Sequence, residues 1–209
     1  MTDLTPRAVC GLAPVIPVLV IDDVSSAAPL ARALVAGGLP ALEVTLRTPA
    51  ALDAIRAMAE VPGGVVGAGT LRTAADVKAA VAAGARFGVS PGLSEAVLDA
   101  AAEAGLPMLP GVATPSEAMR GAELGASVLK FFPAGPNGGA SVLAAWASPL
   151  AGLAFCPTGG VSEANAQDYL ALPNVLCVGG SWVAPRDAVR EGDWQRVKTL
   201  AAQAAALGG

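Results

Sequence analysis

Histidine is absent from this chain of 209 residues. That removes the commonest general base and the commonest ligand of catalytic zinc. A Ser-His-Asp hydrolase and a histidine-ligated metalloenzyme are both excluded. Cysteine is scarce as well: Cys10, Cys156 and Cys177 are odd in number and show no C-x-x-C spacing. Neither a disulfide framework nor a zinc knuckle suits that pattern, and reduced core thiols are expected. No apolar stretch reaches the roughly 18 uninterrupted residues of a membrane span. The N-terminus has no basic head followed by an apolar run and a small-residue cleavage site, so no signal peptide is expected. These absences point to a soluble cytoplasmic protein with no membrane partner.

A basic stripe is also missing. The 13 basic and 17 acidic residues give a formal charge of −4 and the cations are scattered singly, which argues against nucleic acid as a partner. Among those cations only Lys78, Lys130 and Lys198 are lysines. Apolar residues, by contrast, make up 54% of the chain, enough to bury a sizeable core in one domain spanning residues 1–209.

Short runs rich in Val, Leu and Phe alternate with longer Ala/Leu stretches whose polar residues recur at helical spacing. The unit repeats about eight times at intervals of roughly 20 to 25 residues, the rhythm of βα units. The expected strands are 15–20, 41–46, 65–69, 87–90, 107–110, 128–132, 154–157 and 175–179. Helices are expected to start near Ser25, Thr48, Thr73, Ser94, Thr114 and Ser162, and several end on glycine. A lead-in segment precedes Pro14, and a final helix runs from Trp194 to Leu207. Strands apolar on both faces imply a sheet covered by helices, and eight units can close into a (β/α)₈ barrel, for which the chain is short. The competing doubly wound sheet would carry a G-x-G-x-x-G turn after its first strand, and the segment Val18 to Asp23 has none.

In such a barrel the reacting groups project from the C-terminal ends of the strands. Alternation along the second strand puts Glu43, Thr45 and Arg47 on one face, turned into the barrel. An acid and a cation on an inward apolar face are costly unless paired or used. The structural alternative is an ion pair of Glu43 with Arg47 or Lys130. Lys130 lies in Val128-Leu129-Lys130-Phe131-Phe132. An inward lysine there loses hydration, which favours the neutral amine that attack on a ketone requires. The alternative is a lysine that snorkels to the rim. Thr158-Gly159-Gly160 and Gly179-Gly180-Ser181 end the seventh and eighth strands, the corner where barrels of this kind commonly bind phosphate through backbone N–H groups. Ordinary tight turns are the alternative there.

Taken in order, Leu42-Glu43-Val44-Thr45-Leu46-Arg47-Thr48, Gly67-Ala68-Gly69-Thr70, Ser90-Pro91-Gly92, Lys130-Phe131-Phe132-Pro133-Ala134, Cys156-Pro157-Thr158-Gly159-Gly160 and Gly179-Gly180-Ser181-Trp182 resemble the 2-keto-3-deoxy-6-phosphogluconate (KDPG) aldolase family, which also covers 4-hydroxy-2-oxoglutarate aldolase. The resemblance implies a class I aldolase on a (β/α)₈ barrel, a homotrimer without metal or cofactor, cleaving KDPG to pyruvate and D-glyceraldehyde 3-phosphate. It gives Lys130 the Schiff-base role and Glu43 the acid/base role. Arg47 and Thr70 match the positions that hold the pyruvyl carboxylate, and Pro91 and Phe132 match the wall around the imine. Thr158, Gly159, Gly160, Gly180 and Ser181 match the positions around the hydroxyls and phosphate of the substrate tail. The loop Ala134-Gly135-Pro136-Asn137 departs from the family's usual loop, while Thr158 is typical of the gluconate-configured branch as against the galactonate epimer. Two rivals stand beside this reading: a sugar-phosphate isomerase or epimerase using the same two side chains without an imine, and a non-catalytic phosphate-ligand sensor.

Overall fold

The computed structural model describes residues 4–208. A short helix, α1 (Pro6–Cys10), leads into β1 (Val15–Leu19), and strands and helices then alternate: α2 (Ala27–Ala36), β2 (Ala41–Thr45), α3 (Ala51–Ala59), β3 (Val65–Gly69), α4 (Ala74–Ala82), β4 (Gly88–Val89) and α5 (Glu95–Glu103). Two short strands, β5 (Met108–Leu109) and β6 (Gly111–Val112), follow. The alternation resumes with α6 (Pro115–Glu123), β7 (Val128–Phe131), α7 (Gly139–Trp146), β8 (Ala154–Pro157), α8 (Ala166–Leu170) and β9 (Val178–Gly180), and closes with α9 (Arg186–Glu191) and α10 (Trp194–Ala205).

Every strand pairing is parallel. One sheet has the order β5-β4-β3-β2-β1-β9 and the other β6-β7-β8, with isolated bridges Phe155↔Val175 and Thr158↔Gly179 between the second sheet and the last strand region. This is a curled parallel α/β arrangement in which each crossover carries a helix. The strand expected over 107–110 is divided. Pro110 has no N–H for a ladder, so the backbone pairs with β4 before it and with β7 after it, and the Pro110 carbonyl still accepts the Lys130 N–H at 2.9 Å. The fourth strand is shorter than expected, and the last is displaced toward its C-terminal end.

Helix starts follow local chemistry. Thr73 and Thr114 each close a capping box, with Asp76 and Glu117. Ser94 is at an N-cap but makes no side-chain cap bond. Ser25, Thr48 and Ser162 are not caps: Asp23 accepts the Ser25 N–H, the Thr48 hydroxyl donates to the Ile21 carbonyl, and Asn165 accepts the Ser162 N–H. A carboxylate or amide one turn away outcompeted the hydroxyl in the first and third cases.

The buried side chains form two layers. Leu42, Val44, Leu129, Phe131 and Phe155 face the helices, and Trp146 of α7 meets the Phe131 ring edge-on at 5.2 Å. Ile16, Ala41, Phe87, Val89, Leu109, Val128, Ala154 and Cys156 fill the space enclosed by the strands. Val9 and Cys10 of α1 join that inner layer, so the lead-in helix stoppers the N-terminal ends of the strands. Strand alternation therefore sends Leu42 and Val44 outward and sends Ala41, Glu43 and Thr45 inward.

Thr45 uses its hydroxyl locally, donating to the Leu19 carbonyl at 2.9 Å and tying β2 to β1 where both are buried. Thr45→Val leaves that acceptor short of a partner, and about 1–2 kcal/mol of stability should be lost, read as a lower urea midpoint at unchanged slope. Among the described residues no helix is long and apolar enough to cross a membrane.

Candidate active site

Two buried side chains of opposite charge meet inside the strands. Glu43 on β2 and Lys130 on β7 are each 3% exposed, and the ammonium nitrogen lies 3.4 Å from Glu43 Oε1. The pair is the ion pair considered above, with both ends held away from water. Its separation is long for a charge-assisted bond. Phe132 covers the amine, its ring centroid 4.9 Å from Nζ.

Arg47, exposed on the turn after β2, does not pair with Glu43; its Nε donates to Thr70 Oγ1 at 3.2 Å. Thr70 holds a left-handed φ of +63°, a conformation that costs a β-branched residue on the order of 1–3 kcal/mol and concentrates at functional sites. The strained backbone aims the threonine hydroxyl at the guanidinium, and Arg47 also lines the cleft that Phe132 shares.

A cleft of about 1050 Å³ opens above Phe132 and is lined by Arg47, Thr158, Gly159, Gly160, Gly180 and Ser181. Thr158 is buried at the end of β8. A methyl on Gly179 would lie 2.9 Å from Thr158 Cγ2 and collide with its hydroxyl, so the bare glycine seats that side chain. Gly159 and Gly160 have φ of +88° and +80°, two successive left-handed residues that only glycine tolerates without strain. They leave uncovered main chain on the cleft wall, suited to an anion. Gly180 is packed under the Trp182 ring. Pro91, at the end of β4, presses its carbonyl carbon toward Gly111, where a methyl would come within 2.5 Å. Pro91, like Glu43, Thr70 and Lys130, lies outside the residues that line the cleft; Gly111, which its carbonyl meets, pairs in register with Lys130.

Sequence reasoning did not single out Asp22, Asp23, Arg186, Arg190 or Trp194, which also line the cleft. They sit on the loop after β1 and around α9, where nothing in the local pattern marks them; only the general rule that strand C-termini gather function pointed there. It also missed that Cys10, Cys156 and Cys177, all free and buried, lie together. Hydrogen bonding to Cys10 and Cys156, reinforced by burial, pushes the Cys177 thiol well up. A smaller cavity of about 450 Å³, lined by residues including Leu4, Val81, Arg86 and Leu106, holds no carboxylate in its wall.

A buried primary amine facing one carboxylate, covered by a ring that also lines a cleft walled by bare glycine turns, is equipment for carbonyl chemistry through an imine. That is the class I aldolase design, a carbon–carbon lyase. A sequence profile of the KDPG and KHG aldolases matches residues 7–200. The 2-dehydro-3-deoxy-phosphogluconate aldolase of Pseudoalteromonas atlantica is 53% identical over 194 residues, covering 92% of this chain and 90% of that one. The crystal structure of KDPG aldolase from Legionella pneumophila, with pyruvate captured at low pH as a covalent carbinolamine intermediate, superposes with a TM-score of 0.94 at 44% identity, over 97% of this chain and 98% of that one. The Zymomonas mobilis ZM4 enzyme with 3-phosphoglycerate superposes with a TM-score of 0.91 at 49% identity, over 96% and 94%. The chain belongs to the KDPG and KHG aldolase family. It is a class I aldolase.

Proposed function

We propose that the protein cleaves KDPG to pyruvate and D-glyceraldehyde 3-phosphate, with 4-hydroxy-2-oxoglutarate as a second substrate giving pyruvate and glyoxylate. The observation that carries the chemistry is the buried approach of Lys130 Nζ to Glu43 Oε1 at 3.4 Å; the choice of a gluconate-configured substrate is supported by the 53% identity to the P. atlantica aldolase. Lys130 and Glu43 are the catalytic pair, with no metal or cofactor in the cycle.

Transfer of a proton from Lys130 to Glu43 leaves the neutral amine, which adds to the C2 carbonyl while Glu43 delivers that proton to the oxygen, forming a carbinolamine. Glu43 takes a proton back from the carbinolamine nitrogen and passes it to that oxygen, which leaves as water while the nitrogen lone pair closes a protonated imine. Glu43 then removes the C4 hydroxyl proton. The C4 oxygen becomes the aldehyde, the C3–C4 bond breaks, and its electron pair moves into the imine to give the enamine. Protonation at C3 and hydrolysis of the imine release pyruvate and restore the amine. Arg47 and Thr70 hold the carboxylate of the pyruvyl half, which fixes C2 over the amine. Phe132 and Pro91 shape the surroundings of the imine, and Thr158, Gly159, Gly160, Gly180 and Ser181 receive the hydroxyls and the phosphate.

The same reading takes residues 1–209 as one domain, with the two sheets as arcs of a single eight-stranded barrel. In this view β5 and β6 are one strand bent at Pro110, and the Thr158↔Gly179 bridge marks the closing seam. It also makes the protein a cytoplasmic homotrimer of the Entner–Doudoroff pathway.

Pyruvate release from KDPG, followed through lactate dehydrogenase, tests the proposal. Turnover is expected with KDPG, and the dephosphorylated substrate should lose kcat as well as affinity, because phosphate contacts remote from the bond being broken hold it in register. Failure to release pyruvate from KDPG would overturn the substrate assignment, and an unchanged kcat without phosphate would overturn the role of the glycine turns.

A further inference from the structure

We propose that Gly69, at the end of β3, is a positioning residue: its bare Cα is the seat on which the Glu43 carboxylate rests, and the aim of Glu43 at Lys130 depends on there being no side chain in that place. The inference builds on the acid/base role proposed for Glu43 and adds what holds that group in line.

Glycine inside a strand lowers stability relative to residues with side chains, so its use needs a reason, and the usual one does not apply. Gly69 is outside the set of residues with left-handed φ, which includes its neighbour Thr70. The backbone at Gly69 would accept any L residue, and the demand is one of space. A methyl there would lie 2.8 Å from both Cγ and Cδ of Glu43 and would collide with Oε1, the same oxygen that faces Lys130 Nζ. The Gly69 backbone is itself fixed: it pairs in register with Thr45, and its carbonyl accepts the Leu46 N–H at 2.8 Å. The seat is therefore part of the ladder joining β2 to β3, and with Glu43 buried the collision cannot be relieved into solvent. Gly69 and Thr70 thus hold two β2-side groups at once, one by leaving room for the carboxylate and the other by bonding the guanidinium.

Gly67 supplies the matched control. It lies two residues earlier on the same face of β3, in register with Glu43, and the three atoms nearest a methyl there all belong to the Phe87 ring, within 2.5 Å, a comparable clash that falls first on a side chain other than the carboxylate. Both alanine variants should lose stability. Only Gly69→Ala should lose kcat, by at least about 10²-fold with KM changed by less than about threefold, the size and form expected when an acid/base group is misaligned and binding is kept. Gly67→Ala, corrected for its folded fraction, should keep kcat within about threefold of the parent.

A double-mutant cycle with Glu43→Gln separates a local effect from a general one. If Gly69 acts through Glu43, adding Gly69→Ala to Glu43→Gln should cost less than about threefold in kcat; an equal loss in both backgrounds, or parental kcat in Gly69→Ala, overturns the proposal. Should Gly69→Ala fail to fold, Glu43→Ala/Gly69→Ala decides: alanine removes Cγ, Cδ and Oε1 together, so the methyl is cleared, and recovery of a protein as folded as Glu43→Ala alone supports the seat, while continued failure places the clash elsewhere and overturns it. Normal turnover by Glu43→Gln alone would instead remove the acid/base role, a result distinct from either outcome at Gly69.

Discussion

Lys130→Met is expected to lower kcat for KDPG cleavage by at least about 10⁴-fold, since tethering the substrate as an imine replaces an encounter with an intramolecular step and that advantage is lost whole. Methionine nearly matches the lysine stem in length and suits the inner layer beside Val128 and Cys156, so the fold should survive. The variant still leaves Glu43, 3% exposed, without its cationic partner, and a lowered Tm is expected alongside the loss of activity. Pyruvate and borohydride should leave a reduced adduct on the peptide containing Lys130 in the parent and none in the variant. An adduct on Lys78 or Lys198, or turnover within tenfold of the parent, would overturn the assignment.

Glu43→Gln separates binding from proton transfer. The amide has the carboxylate's shape and fits the same seat, so pyruvate should still bind, but it can neither deliver a proton to the carbinolamine oxygen nor take one from the C4 hydroxyl. A loss of kcat of roughly 10²–10⁴-fold is expected, with slower trapping of pyruvate on Lys130 in a borohydride time course. Near-parental turnover would take Glu43 out of the cycle. A chelator should leave the parent's rate unchanged; loss of activity on chelation would replace the imine route with a metal-dependent one.

The outline of this site was legible because period-2 alternation is a strong constraint on a strand buried on both sides. It put Glu43 and Lys130 on inward faces, and the structure brings them together across 87 residues of sequence. Strand and helix order was legible for the same reason. What alternation cannot give is depth along the strand or the tilt of neighbouring strands. Arg47 shares a parity with Glu43 but sits beyond the end of β2, where it bonds Thr70 across the next strand turn. Pro91 was grouped with Phe132 by resemblance; the structure packs its carbonyl against Gly111, the residue in register with Lys130. The division at Pro110 follows from one missing N–H, a feature visible in the sequence once the pairing partners are known. Gly69 and Gly179 carry no polar atom on a side chain, so a search for reactive groups passes over them; their contribution is a volume, and a volume is seen only when neighbouring strands are in place.

The stopper at the base of the strands has a kinetic consequence. With Val9 and Cys10 of α1 fully buried among the inner side chains, that end of the strands is packed, and the cleft that Phe132 lines lies at the other. On the proposed assignment the imine forms on Lys130, whose amine lies behind the Phe132 ring, so the fragment bonded to it would be the deeper of the two, with the aldehyde phosphate between it and solvent. Departure is then ordered by geometry: the phosphorylated fragment exits first, and only afterwards can water reach the imine and free pyruvate. Run in reverse, the same corridor obliges pyruvate to enter before the aldehyde, and an aldehyde phosphate that arrives early blocks the door its partner needs.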